Sequence, residues 1–213
     1  MAVEQTRVEM STDFDRLVID IETDGSITPR ESLASAGATL RALVDLVANL
    51  SDEPMPVAIG FHPYFTVGTT LIDEAEARIP GAGFLEFNDK LVPTGKVLPA
   101  AGTEWDCRAF CRIGEKKFNH CYVQLDRDAE GMATAALRHA VSGRVIEVTM
   151  DRAFSAIVVY TGDAIADAPR RAFAIEPMTC ASDAFNHPEW GLKRLLPGER
   201  FCGRYTVHHR IGS

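Results

Sequence analysis

Glu176 and His62 are the residues of this sequence best placed to do chemistry. Glu176 lies in the run AFAIEPMTCASDAFN, between Ile175 and Pro177, and His62 lies in GFHPYF, among aromatic residues and before Pro63. A carboxylate among apolar neighbours is desolvated, which raises its proton affinity toward that of a useful general base. An imidazole changes charge near neutrality. Together the two can take a proton from one oxygen and deliver one to another, which is acid–base work needing no metal or coenzyme. Plainer roles remain open on residue type alone: a strand-end glutamate paired with Arg171 or Arg194, and a structural histidine. His120, His139, His187, His208 and His209 have weaker surroundings and read as structural or surface residues.

The elements that must position this pair are strands. After residue 56 the chain is a series of short apolar segments (VAIGFHPYF, ARIPGAGFLEF, FNHCYVQL, ATAALRHA, RVIEVTMD, AIVVYTGD, AFAIEPM, GRYTVHHRI) separated by Gly, Pro, Asn and Asp. Many short strands with frequent turns predict an antiparallel sandwich or barrel rather than alternating strands and helices. Gly143, between Ser142 and Arg144, marks a hairpin turn.

The first fifty residues read differently. LVIDIE, from Leu17 to Glu22, alternates apolar and acidic residues as a half-buried strand does. Thr28, Pro29 and Glu31 then form a helix start. Leu33, Ala36, Leu40, Leu43, Val44 and Val47 recur at spacings of three and four, which predicts an amphipathic helix from about Pro29 to Asn49. The division expected is 1–50 for strand plus helix, 51–56 for a proline-bearing linker, and 57–213 for a β domain.

Composition sets outer bounds. The 213 residues carry a formal net charge of −8, which argues against binding nucleic acid directly. No apolar run reaches the length of a membrane span, and the charged N-terminus does not read as a secretory signal. Five cysteines without a repeated short spacing make a poor zinc site and a poor disulfide framework. They are expected to be reduced, in a cytoplasmic protein with no metal.

Six ordered motifs carry a resemblance: GFHPYF, LVPTGKVLPAAGTEWD, FNHCYV, VVYTGD, IEPMTCASDAFN and LLPGERFCGRY. Over about residues 56–205 the chain resembles the aldose 1-epimerase (galactose mutarotase) family. The resemblance implies a mainly β, antiparallel supersandwich and an enzyme that opens a hexose hemiacetal ring and recloses it on the other face. It assigns Glu176 as general base and His62 as general acid, a pair whose environments should push their pKa values apart. Asn119 stands where the family usually has a sugar-binding aspartate; it can donate and accept but brings no charge. Tyr64 and Phe65, with Phe185, become candidates to stack on the sugar. The family's N-terminal portion, with a further arginine and histidine, has no counterpart before Pro56, so impaired activity is expected. Arg170 and Arg171 are a basic hint toward a phosphorylated sugar.

Residues 6–50 resemble something else. RVE..TDFD.LV, the turn ETDGSI.P and the helix after it are similar to the end of the N-terminal, dimerising domain of a bacterial RNA polymerase alpha subunit. This implies a homodimer through the helix, or contact with polymerase subunits. A non-functional fusion product is the third reading of such a junction.

Overall fold

The computed structural model describes residues 2–8, 11–18 and 46–211. It divides into two units, Met1–Asp45 and Leu46–Ser213. In the first, strands β1 (Ala2–Val8) and β2 (Ser11–Val18) pair antiparallel, with Ala2 opposite Val18 and Thr6 opposite Phe14. Leu17 and Val18 of the strand expected over Leu17–Glu22 are the end of β2; the rest of that strand and most of the helix expected from Pro29 fall outside the described residues.

The end of that expected helix is corrected. Leu46–Ala48 is a strand (β3), paired with Arg200–Cys202 (β16) of the second unit. The expected linker is part of the β unit too: Met55–Val57 (β4) pairs with Lys193–Leu195 (β15). Asn49, fully buried between these strands, explains the local choice of structure. Its side-chain amide donates to the carbonyls of Glu53 (2.7 Å) and Leu195 (2.9 Å), and its side-chain oxygen accepts from the Ser51 backbone N–H (2.9 Å). Its backbone N–H donates to the Glu199 carbonyl and its own carbonyl accepts from Gly198. A helix would offer none of these long-range partners, so tertiary pairing overrides the helical spacing.

Two antiparallel sheets make the body of the second unit. One has six strands: β5 (Tyr64–Phe65), β14 (Phe173–Met178), β13 (Ala156–Tyr160), β10 (Asn119–Leu125), β7 (Gly81–Phe87) and β8 (Pro93–Pro99), in that order across the sheet. The other has five: β17 (Tyr205–Ile211), β12 (Arg144–Met150), β11 (Ala133–His139), β6 (Glu76–Arg78) and β9 (Cys111–Arg112). β11 and β12 form the hairpin marked by Gly143, which has φ +67°. Mainly antiparallel β structure is therefore as expected.

Strand alternation sorts the side chains. Phe84, Tyr122, Ile157, Val159, Phe173 and Ile175 leave one face of the six-stranded sheet and join Ala77, Ala135, Leu137, Val148 and Met150 of the other sheet in the main core. The opposite face of the six-stranded sheet holds a smaller cluster of Leu85, Cys121, Ala156 and Ala181, packed by Val158, Met178 and Trp190. This second face carries the site.

The cysteine expectation is also corrected: Cys107 and Cys111 form a disulfide, with Cα atoms 5.2 Å apart. The bridge links Cys107, which is buried in the main core, to Cys111 at the start of β9. Cys121, Cys180 and Cys202 are free.

Candidate active site

The two motifs separated by more than a hundred residues lie side by side. The segment from Ile59 to Phe65 runs antiparallel along β14. Thr179 N–H donates to the Ile59 carbonyl (2.9 Å), Gly60 bridges Met178, Phe61 N–H donates to the Pro177 carbonyl (3.1 Å) and Ile175 N–H donates to the Pro63 carbonyl (3.3 Å). Tyr64 then stands opposite Ala174, and Phe65 opposite Phe173. The strand passes through Pro177 rather than ending there: the proline has no N–H to return to the Phe61 carbonyl, and the pair is held by the bond from the Phe61 N–H to the Pro177 carbonyl.

This register sets His62 against Glu176. Nε2 of His62 lies 3.2 Å from Oε1 of Glu176. The carboxylate side chain is only 9% exposed, whereas the imidazole is 54% exposed, so one partner is sunk in the sheet and the other faces solvent. Burial raises the Glu176 pKa from 4.5 to about 7, and burial also lowers the His62 pKa below its usual 6.5. The two proton affinities are pushed toward each other and past, not apart as the sequence suggested. With Glu176 raised and His62 lowered, a single proton shared by the pair sits on the carboxyl, leaving the imidazole neutral.

Other expected site residues separate by strand parity. Tyr64 projects to the Glu176 face and stacks on His62, with ring centroids 4.9 Å apart and planes 26° apart. Phe65, one residue on, points the other way and packs against the main core. It is corrected from sugar-stacking candidate to core residue. Asn119 is exposed and stands in register with Tyr160, which is in register with Ala174 and Tyr64. Tyr64, Ala174, Tyr160 and Asn119 thus form one row across the sheet face, adjacent to the row of Glu176, Val158 and Cys121. Asn119 is two strands from β14, about 10 Å at the usual strand spacing. Phe185 is 62% exposed on the loop after β14.

Tyr160 is the member of this row that sequence reasoning missed. Its position in VVYTGD, two residues after Val158, was enough to place it on the same face as Glu176 once the strand was recognised. Its hydroxyl accepts from the Ala164 N–H (2.8 Å). The stacked pair His187 and Trp190, with centroids 4.1 Å apart, was missed as well; Trp190 packs over the smaller cluster beside Met178.

Arg170 offers no free cation for a phosphate. Its guanidinium donates to Asp73 (2.8 Å), Asp163 (2.8 Å) and the carbonyls of Lys116 and Gly114. Glu176 pairs with His62 rather than with Arg171 or Arg194. Among the described residues no group of three or more His, Cys, Asp or Glu is arranged to hold a metal ion. No helix among them is long and apolar enough to cross a membrane.

Residues 41–208 match the family model for aldose 1-epimerase. The chain belongs to the aldose 1-epimerase family. Solved structures of similar fold include a galactose mutarotase-like protein from Clostridium acetobutylicum (20% identity, TM-score 0.65, covering 78% of this chain and 51% of that one). A galactose 1-epimerase from Lactobacillus acidophilus NCFM (18% identity, TM-score 0.62, covering 79% and 53%) is another. The chain spans about half the length of these aldose 1-epimerase-like structures. Residues 2–44 match the model for the RNA polymerase Rpb3/Rpb11 dimerisation domain. Among curated proteins, the chain is 35% identical over 127 residues to the DNA-directed RNA polymerase subunit alpha of Corynebacterium jeikeium, covering 58% of this chain and 37% of that subunit. The alpha subunit of Corynebacterium glutamicum strain R is 36% identical over the same length.

Proposed function

We propose that this protein interconverts the α and β anomers of a hexose by acid–base ring opening, with Glu176 as base and His62 as acid. The observation that carries the reading is the 3.2 Å approach of Nε2 of His62 to Oε1 of Glu176 on one sheet face. A hemiacetal carbon holds its hydroxyl oxygen and its ring oxygen on the same atom. Groups that serve both must therefore converge closely, not stand a sugar's breadth apart.

Ring opening requires the carboxylate and the imidazolium. Glu176 takes the proton of the anomeric hydroxyl, the C1=O bond forms as the bond from C1 to the ring oxygen breaks, and His62 gives its proton to that oxygen. The pair is left as carboxyl and neutral imidazole, which its proton affinities favour. Rotation of the aldehyde and the reverse transfers close the ring on the other face. Asn119 is assigned to bind sugar hydroxyls at the far end of its row. No cofactor enters any step.

The test is polarimetry, or proton NMR, of freshly dissolved α-glucose and α-galactose. Anomer exchange should be faster with the protein than with Glu176→Gln, by about a hundredfold or more for loss of a general base. Equal rates would remove the enzymatic reading. Exchange that is slow in both the α-glucose and α-galactose assays but abolished by Glu176→Gln would mark an impaired epimerase.

A second reading rests on the match of residues 2–44. In it the first unit dimerises or contacts RNA polymerase subunits, and the acidic net charge is no obstacle because such contacts are with protein. Co-purification with the polymerase β or β′ subunits supports it. A monomer by light scattering at micromolar concentration, in a chain that captures no polymerase subunit, counts against it.

A further inference from the structure

His62 is half exposed, and in the described hydrogen bonding its Nε2 meets Glu176, while its other polar contact is with its own backbone. A catalytic histidine commonly has a second residue fixing its ring plane and tautomer. Here the described contact that can fix the plane is a ring. Tyr64 lies against the imidazole at 4.9 Å and 26°, and it is itself anchored by its backbone pairing opposite Ala174. Alternation across Pro63 brings the two side chains to the same face.

We infer that Tyr64 is a positioning residue for His62, holding the imidazole plane toward Glu176 and favouring its protonated form through the face of its ring. The assignment rests on the acid role given to His62 above. It adds a role to the family-based expectation that Tyr64 stacks on sugar: one face of the phenol ring is taken by His62, and the residue is 40% exposed. The electrostatics agree: an electron-rich ring face attracts a cation laid against it. This opposes the burial that lowers the His62 proton affinity. The titratable groups facing the pair are Glu176 on β14, Tyr160 on β13 and, nearer to Glu176, Cys121 on β10. All three lack positive charge; the hydrogen bond to its own backbone raises the His62 proton affinity, and the Tyr64 ring face acts in the same direction.

The test is the NMR titration of the His62 ring in the full chain, with Tyr64→Leu and Tyr64→Phe beside the unaltered protein. Tyr64→Leu should lower the His62 pKa by roughly half a pH unit, from loss of the ring face. Tyr64→Phe, which keeps the ring and loses the hydroxyl, should titrate as the unaltered protein does. In anomer exchange, Tyr64→Leu should reduce kcat several-fold with KM little changed, and Tyr64→Phe should restore it. A His62 titration unmoved in Tyr64→Leu overturns the inference. So does Tyr64→Phe behaving like Tyr64→Leu, which would assign the effect to the hydroxyl. The titration needs no sugar: failed anomer exchange with a shifted titration removes the proposed function and leaves the positioning of His62 standing.

Discussion

The Glu176 carboxyl, buried beside a half-exposed imidazole, ties the proposed activity and the stability of the fold to the same proton. In the proposed mechanism, anomer exchange needs the form of the pair that carries one proton. Raising the pH through about 7 removes that proton, so the rate should fall on the alkaline side. Lowering the pH through the depressed His62 pKa adds a second proton, so the rate should fall on the acid side too. A bell-shaped profile of kcat/KM with its alkaline limb near 7 is expected, and a flat profile across this range would contradict it. Stability follows the opposite logic. The folded state holds the Glu176 proton more tightly than the unfolded chain, whose pKa is near 4.5. Its contribution is therefore complete below pH 4.5 and lost as pH rises through about 7, with an upper bound of about 3 kcal/mol. Glu176→Gln, uncharged at this position, should be more stable than the unaltered protein at pH 8 by about 1–3 kcal/mol in urea, with the gap closing toward pH 5. At this scale the apolar settings alone left plainer roles open for both residues; the ordered motifs singled the two out, and the register of the Ile59–Phe65 segment on β14 brings them together. The direction of the His62 shift was not legible, because it depends on which strand covers the ring.

Strands and the loops between them decide which of the expected residues reach the site. Parity along Phe61–Phe65 sends His62 and Tyr64 to one face and Phe61 and Phe65 to the core, where Phe61 meets Tyr205 at 4.9 Å. That division could be read once the segment was known to be extended. The partner strand could not, since pairing across more than a hundred residues leaves no local trace. The loop staple at Arg170 was likewise hidden, because a basic residue in a sequence does not declare whether its charge is spent. Arg170 joins Asp73, Asp163 and two carbonyls from loops distant in sequence, with 16% of its side chain exposed. Removing one member of such a partly buried network leaves uncompensated carboxylates and carbonyls. Arg170→Ala should cost about 2–4 kcal/mol of unfolding free energy, seen as a lower urea midpoint with an unchanged slope. Arg171→Ala, at the exposed neighbouring position, should stay within about 0.5 kcal/mol.

The whole chain joins two partial likenesses, and the boundary between them was the least legible feature of the sequence. A helical spacing of apolar residues ran on to Val47, yet Leu46–Ala48 is a strand of the β unit, locked by the buried amide of Asn49. The family match from residue 41 and the unit boundary after Asp45 agree with that placement. The elements that set Glu176 against His62 (the Ile59–Phe65 segment and β14) lie within Leu46–Ser213. A chain beginning at Leu46 should therefore keep the β-rich circular dichroism of the second unit and its Glu176-dependent anomer exchange. Loss of the Asn49 anchor should be felt across this unit, because Asn49→Ala takes the amide donor from the Leu195 carbonyl and leaves the Glu53 carbonyl to the Ser51 hydroxyl, at about 1–3 kcal/mol. If dimerisation belongs to residues 2–44, the full chain should scatter light as a dimer and the chain from Leu46 as a monomer, with equal exchange rates per site. A drop in exchange on removing residues 1–45, with the β-rich spectrum intact, would overturn the expectation that Leu46–Ser213 suffices for the exchange.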